Sequence, residues 1–408
     1  MGKTGGTVTG KMNIGFIGAR GIPHGYCSTE QVALNVGTRL VQRGHTFTVY
    51  CRRHLYPERT PEYRGVRRIF LPTNEHKIFG QVIHAGLSGF HAITQPYDII
   101  HVQCLTNAIQ AMIPWMFGKR VICNVDGQEW ENPKWPKRPR EAYFGLAARA
   151  AMMVSREIIT DAQGMYDIYI QRHGRPSTII EYGADIVTPQ KPDRLLEFGL
   201  KPREYFFIAA RLVPSNQIAI LVDAFKKSGS KKTLAIAGGG HNNSDYYQKM
   251  KNNAGERIKF LGLVSDQSLM DELYANAFGY LHGPYLGGIN SALLRPLGAG
   301  CPAIAYNSVF NREVLVMSDG RLCGIPWETE SEIIQGIQRL ENDPAEAERL
   351  SRDSVRQIQS YFTWDLVTDQ YEIYYRGVIE KWPGEKIRKA VSECREARAR
   401  NAGGGSAA

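Results

Sequence analysis

Cysteine is scarce: the 408 residues hold seven, and no two lie at Cys-x-x-Cys spacing. That pattern excludes a zinc ribbon and a disulfide framework, and it suits a reducing compartment. No run approaches 18 apolar residues, so no transmembrane helix is expected. The opening MGKTGGTVTGK lacks an apolar segment and is not read as a signal peptide. Residues 1–11 are expected to form a flexible leader. They contain G-x-x-x-x-G-K from Gly5 to Lys11, but Met12 stands where a phosphate loop needs Ser or Thr. No strand precedes that segment, so a phosphate loop is rejected.

Charged residues make up 22% of the chain and hydrophobic ones 43%, which excludes a disordered polypeptide. At roughly 150 residues per domain the length suggests two or three domains. Glycine is abundant, 41 residues, as in chains with many tight βα turns. Fifty basic residues stand against 40 acidic ones, a net charge of +10 that favours an anionic partner. Basic residues alternate with aromatics in 52–68 and 134–149, yet no nucleic-acid motif accompanies them. Nucleic acid is therefore not expected, and an anionic acceptor or a membrane surface is. The expected location is the cytoplasm, with the inner face of the cell membrane as a peripheral site.

Short apolar runs alternate with helical spacing. In the first half, NIGFI (13–17) leads through Gly18 and Gly21 into a helix over 29–43, then TFTVY (46–50). Further strands are expected at 66–70, 98–102, 120–125 and 157–160, with a helix over 141–154. After the proline-containing stretch 187–204 the pattern restarts. Strands 205–210, 233–237, 257–261, 278–281 and 302–306 alternate with helices 217–227, 244–252, 266–275 and 290–299. Continuous apolar runs of this kind are buried parallel strands, and the alternation predicts α/β architecture with two doubly wound, Rossmann-like domains. The expected boundaries are 12–185 and 186–362. An amphipathic helix over 363–382 returns to the first domain, and 383–408 form a basic tail with a flexible end. Ligands of such sheets bind at the carboxyl ends of the strands, here a central cleft.

The segment 279–300, GYLHGPYLGGINSALLRPLGAG, carries the strongest site signal. Glycines 283, 287 and 288 lie between a strand ending at Leu281 and a helix starting near Asn290. Glycine admits close backbone approach, and a helix start favours anions, so this is a diphosphate cradle or an ordinary βα turn. Arg211, at the end of strand 205–210, is suited to clamping phosphate oxygens. Asp126 and Glu129 follow strand 120–125 and could serve acid–base or hydroxyl-binding chemistry. Glu30 follows a second glycine-rich turn, 18–25. His101 is expected in the core, His282 lies beside the cradle, and Cys27 and Cys104 match no metal motif.

Several segments in order resemble family 4 glycosyltransferases of the GT-B fold, nearest a bacterial rhamnosyltransferase-like branch, over residues 12–382. They include Gly15 to Pro23, Val125 to Trp130, Ile180 to Ala184, Ala210 to Pro214, Leu281 to Asn290 and Phe310 to Leu315. The resemblance implies transfer of a sugar from a nucleotide diphosphate donor with anomeric configuration retained. The donor would be a dTDP- or UDP-sugar, rhamnose among the candidates, and the acceptor a glycan, a lipid-linked sugar or a metabolite. No metal and no cofactor beyond this co-substrate is implied. Arg211 and the amides of Gly288 to Ser291, with Gly287, Ile289 and Asn290 in the same loop, would meet the diphosphate. Asn216 is usual in this branch, and Leu263 in the loop after Phe260 would face the base. Asp126 would lie near the transferred sugar with Glu129 on the acceptor side, together with Tyr26, Glu30, Gln103 and His282. The chain departs from the pattern at Arg295, where the family has a ribose-binding Glu. It also has Tyr26-Cys27-Ser28-Thr29-Glu30 for Tyr-Gly-Gly-Phe-Glu, Gln103-Cys104 for His-Gly, and Pro284 for His. The alternative expectation is a pseudo-glycosyltransferase acting as a partner subunit or binding module.

Overall fold

The computed structural model describes residues 10–23, 28–74, 76, 79–131, 137–239, 245–252 and 254–404. The chain divides into two compact units: residues 1–160, 173–178 and 368–391, and residues 161–172, 179–367 and 392–408.

In chain order the first half contains β1 (Asn13–Ile17), α1 (Ser28–Gln42), β2 (Thr46–Arg52), β3 (Glu62–Tyr63), β4 (Val66–Leu71) and α2 (Phe79–Ile93). It continues with β5 (Ile99–Gln103), α3 (Ala108–Met116), β6 (Val121–Asn124), α4 (Lys137–Val154), β7 (Ile158–Thr160), α5 (Gln163–His173) and β8 (Ser177–Ile179). The eight strands order as β3-β4-β2-β1-β5-β6-β7-β8. Strand β1 pairs in parallel with β2 and β5, and only the short β3 is seen to run antiparallel, against β4. The chain leaves β1 in one direction and returns on its other side, so a switch point lies between β1 and β5, where ligand crevices form.

The second half contains β9 (Tyr205–Ala209), α6 (Ile218–Lys227), β10 (Thr233–Ala237), α7 (Asp245–Asn252), β11 (Ile258–Gly262), α8 (Gln267–Ala275), β12 (Gly279–His282) and α9 (Ser291–Gly298). Then follow β13 (Ala303–Tyr306), α10 (Val309–Leu315), β14 (Gly324–Trp327), α11 (Glu330–Asn342) and α12 (Pro344–Tyr361). All six strands are parallel in the order β11-β10-β9-β12-β13-β14, with the switch point between β9 and β12. Phe206 and Ile208 on β9 are fully buried with Leu221, Phe225, Leu234 and Leu281, which makes this strand the centre of the core. Burial of each such side chain is worth roughly 1.5–3 kcal/mol.

Two helices close the chain, α13 (Trp364–Ile379) and α14 (Gly384–Gly404). Within the first unit, Arg43 after α1 pairs with Asp369 at 2.7 Å and Glu372 at 2.8 Å on α13. His101 on β5 shares a 2.7 Å hydrogen bond with Tyr375, and burial lowers its pKa to about 3. It is thus a neutral, packed core residue. Arg388 on α14 donates to the buried carboxylate of Glu157 at 2.8 and 2.9 Å. Among the described residues no helix is long and apolar enough to cross a membrane.

Candidate active site

In the second unit the loops after β9 and β12 meet at the switch point. Asn216 donates to the carbonyl of Arg211 at 2.7 Å, and Gln217 donates to the carbonyl of Gly283 at 2.8 Å. A Cβ on Gly283 would lie 2.4 Å from the carbonyl oxygen of Asn216, so only glycine permits this approach. These contacts fix the strand end that carries Arg211. Its side chain is exposed and makes no hydrogen bond or ion pair among the described residues. A guanidinium held at its backbone and unpaired at its tip is available to an anion.

The β12–α9 loop is shaped by two different demands. Gly287 has φ of +103°, a conformation that disfavours side chains. Gly288 is excluded from bearing one by contact, since a Cβ would fall 1.8 Å from a carboxylate oxygen of Asp161. Asp161 is itself only 2% exposed. Ile289, 3% exposed, anchors the loop, and Asn290 caps α9 by accepting from the amide of Ala292 at 2.9 Å. The loop therefore delivers Gly287 to Ser291 to the positive end of α9. Leu263, 55% exposed, follows the carboxyl end of β11. His282 ends β12 with its ring buried, and burial lowers its pKa to about 3, so the imidazole is neutral.

In the first unit, adjacent strand ends present Gln103 and Asp126. Gln103 on β5 is opposite Asn124 on β6, and its amide donates to the Asp126 carboxylate at 3.0 Å. The Asn124 side chain in turn accepts from the Asp126 amide at 3.0 Å. Gln103 thus holds the carboxylate and Asn124 the backbone of Asp126, which is 7% exposed. Glu30 in the first turn of α1 accepts from the Arg20 amide at 2.8 Å and is 2% exposed. Burial raises its pKa. The Arg52 amide donates to the Arg20 carbonyl at 2.8 Å, so the two arginines spring from neighbouring backbone. Burial and then Arg20 lower the pKa of Arg52, while Glu30 acts in the opposite sense. Cys104 holds φ of 70°, which explains why a glycine is natural at this position in the family it resembles. Tyr26 and the side chain of Glu129 lie outside the described residues.

Family comparisons match both halves. Residues 29–187 match the model described as Glycosyltransferase Family 4, and residues 197–356 match Glycosyl transferases group 1. The chain is a glycosyltransferase of the GT-B type. No curated protein sequence matches it. Among solved structures, sucrose-phosphate synthase from Thermosynechococcus elongatus superposes with a TM-score of 0.75 at 16% identity, over 91% of this chain and 100% of that one. HepE of Anabaena, in complex with UDP and glucose, gives 0.71 at 16% identity over 88% and 98%. An α,α-trehalose-phosphate synthase (UDP-forming) from Burkholderia vietnamiensis gives 0.66 at 12% identity over 90% and 100%. At these identities the likeness establishes the fold.

Within this glycosyltransferase the departure at Arg295 has a local explanation. The side chain lies over the ring of Tyr274 at 5.2 Å and donates to Gln267 at 2.9 Å and Asp271 at 2.7 Å, all on or next to α8. Burial opposes its charge, but Tyr274 and Asp271 outweigh it and raise the pKa. Arg295 is thus committed to bracing α9 against α8. Glu313, in the Phe310 to Leu315 segment, accepts from the amides of Gln163 and Gly164 at 2.8 and 2.7 Å and caps α5. Sequence reasoning passed over Arg20, Arg52, Asp161 and Glu313. Arg20 and Glu313 fall inside the Gly15 to Pro23 and Phe310 to Leu315 segments, but their partners, and that of Asp161, show only in the fold.

Proposed function

We propose that this glycosyltransferase takes a nucleotide diphosphate sugar, with UDP or dTDP as the nucleotide, and transfers the sugar with retention and without a metal ion. The observation that carries the reading is the guanidinium of Arg211, unpaired among the described residues, beside the β12–α9 loop, in which Gly288 has no room for a side chain. In transfer, an acceptor hydroxyl oxygen bonds to the anomeric carbon while the bond to the diphosphate oxygen breaks. The electron pair and the developing negative charge go to the diphosphate, and the hydroxyl proton is lost toward it. Arg211 and the loop amides are placed to stabilise that charge, the role a metal ion would otherwise fill. Leu263 offers an apolar surface for the base. Asp126, oriented by Gln103 and Asn124, would fix hydroxyls of the transferred sugar. HepE, described with UDP, and starch synthase IV of Arabidopsis, described with ADP and acarbose, make a nucleotide diphosphate the natural class of donor.

On the acceptor side we read Glu30 and Gln103, with Arg20 and Arg52 suited to an anionic group on the acceptor. Rhamnose transfer and a cytoplasmic location belong to the same reading. The test is release of the nucleotide diphosphate from UDP- and dTDP-sugars by the whole chain, with and without EDTA, followed by assignment of the product's anomeric configuration. Retained configuration and release unaffected by EDTA support the reading. Inverted configuration, or abolition by EDTA, overturns it.

A further inference from the structure

The helices α2, α3 and α4 pack side by side in the first unit. A Cβ on Gly89 of α2 would lie 3.3 Å from the Gln110 carbonyl and Pro114 of α3, so these two helices approach closely. Tyr143 of α4 donates to the Thr106 carbonyl just before α3 at 2.7 Å. Their inward faces are conventional: Ala147, Ala148, Ala150 and Ala151 of α4 are all buried.

Their outward faces are not conventional. Of the 15 large apolar side chains exposed among the described residues, eight lie on these helices or at the residue after α3. Phe90 is 59% exposed, Met116 63%, Phe117 62%, Leu146 55% and Met153 50%. Singly exposed apolar residues need no explanation, but a cluster shared by three adjacent helices marks an interaction surface. Charge narrows the partner. Neither α2 nor α3 contains an Asp, Glu, Lys or Arg, and α4 has Glu141 as its single acid. The exposed side of α4 alternates basic and apolar residues: Arg138, Leu146, Arg149, Met153, with Arg156 just beyond.

We propose that the outer face of α2, α3 and α4 docks on an anionic lipid bilayer. Phe90, Met116 and Phe117 would enter the interface, Leu146 and Met153 would follow, and the arginines between them would reach the lipid phosphates. The arginines of α4, with a single acid among them, match an anionic lipid surface better than a protein face. A second copy paired about a twofold axis would set the α4 arginines against their own equivalents. This inference stands apart from the donor chemistry proposed above.

The test is sedimentation of the full chain with vesicles of phosphatidylcholine containing about 30 mol % phosphatidylglycerol, a level at which surface basic residues contribute measurably. Binding is expected to these vesicles, to fall with added salt, and to be weak on pure phosphatidylcholine. M116E/M153E is expected to abolish it, and R149A to weaken it about fivefold. These positions are exposed, so melting temperature and nucleotide binding should not change, which separates loss of docking from loss of fold. Absence of binding to the anionic vesicles, or binding unaltered in M116E/M153E, overturns the proposal. So does a dimer in solution that M116E converts to monomer, since the face would then be an interface between copies of the chain.

Discussion

Replacing Arg211 by alanine isolates the donor-site reading, because among the described residues the side chain has no partner to leave behind. It is exposed and unpaired among the described residues, and the turn that carries it is held by Asn216 through the Arg211 carbonyl, which alanine keeps. Stability should therefore change by no more than about 0.5 kcal/mol, a shift of roughly 2 °C or less in Tm for a domain of this size. Binding should change much more. Hydrogen bonds to a charged group contribute about 1.5–3 kcal/mol, and each 1.4 kcal/mol is tenfold in Kd, so nucleotide diphosphate affinity should fall about 10- to 150-fold. Arg211→Lys should lie between, since it keeps the charge and loses the planar fork. Calorimetric titration of the wild type and both variants with UDP and dTDP provides the assay. Because the leaving diphosphate gains charge in the transition state, kcat should fall as well. An unchanged Kd in Arg211→Ala would refute the assignment. A large drop in Tm would show that Arg211 serves the fold instead.

Gly288→Ala forces a methyl against the Asp161 carboxylate and should cost about 1–3 kcal/mol in thermal unfolding. Asp161→Ala in the same chain should restore most of that loss, and additive effects would show that the contact is absent. Arg295→Glu should lower Tm and fail to improve nucleotide affinity, because it sets a carboxylate against Asp271. Adding Asp271→Asn should recover stability, and a gain in affinity from Arg295→Glu alone would contradict the bracing role. Glu372 on α13 has its pKa lowered to about 2, first by the hydrogen bond from His45 and further by Arg43. Its folded pKa lies below the ordinary 4.5, so its stabilisation is complete above about pH 4.5 and is lost as pH falls toward 2. Denaturant titrations at pH 7, 4 and 3 should show a loss on the order of 1–3 kcal/mol that Glu372→Gln lacks.

The central strands were readable because each is a short apolar run bounded by turn residues: NIGFI and YFFIA need no tertiary information. The edge strands were not. Ser177–Ile179 is three residues with two buried hydroxyls, one of which, Ser177, bonds Thr160 at 2.8 Å. Gly324–Trp327 contains Pro326, tolerated because β14 is the last strand of its sheet. The glycine loop at 283–288 and Arg211 were visible as residue types at strand ends. What could not be read is why Gly288 must be glycine, since the carboxylate that excludes a side chain is Asp161, more than a hundred residues earlier. The same holds for Arg295, whose unusual identity is matched by Asp271 on a neighbouring helix.

The central claim is that the loops after β9 and β12 form a nucleotide diphosphate site. The most direct measurement is calorimetric titration of the intact chain with UDP, dTDP, GDP and ADP, each with EDTA present, paired with thermal unfolding. One or two of these nucleotides should bind and raise Tm, with stabilisation near 2.7 kcal/mol at about a hundredfold excess over Kd. No heat and no Tm shift with any of the four would contradict the donor site built from Arg211 and residues 287–291.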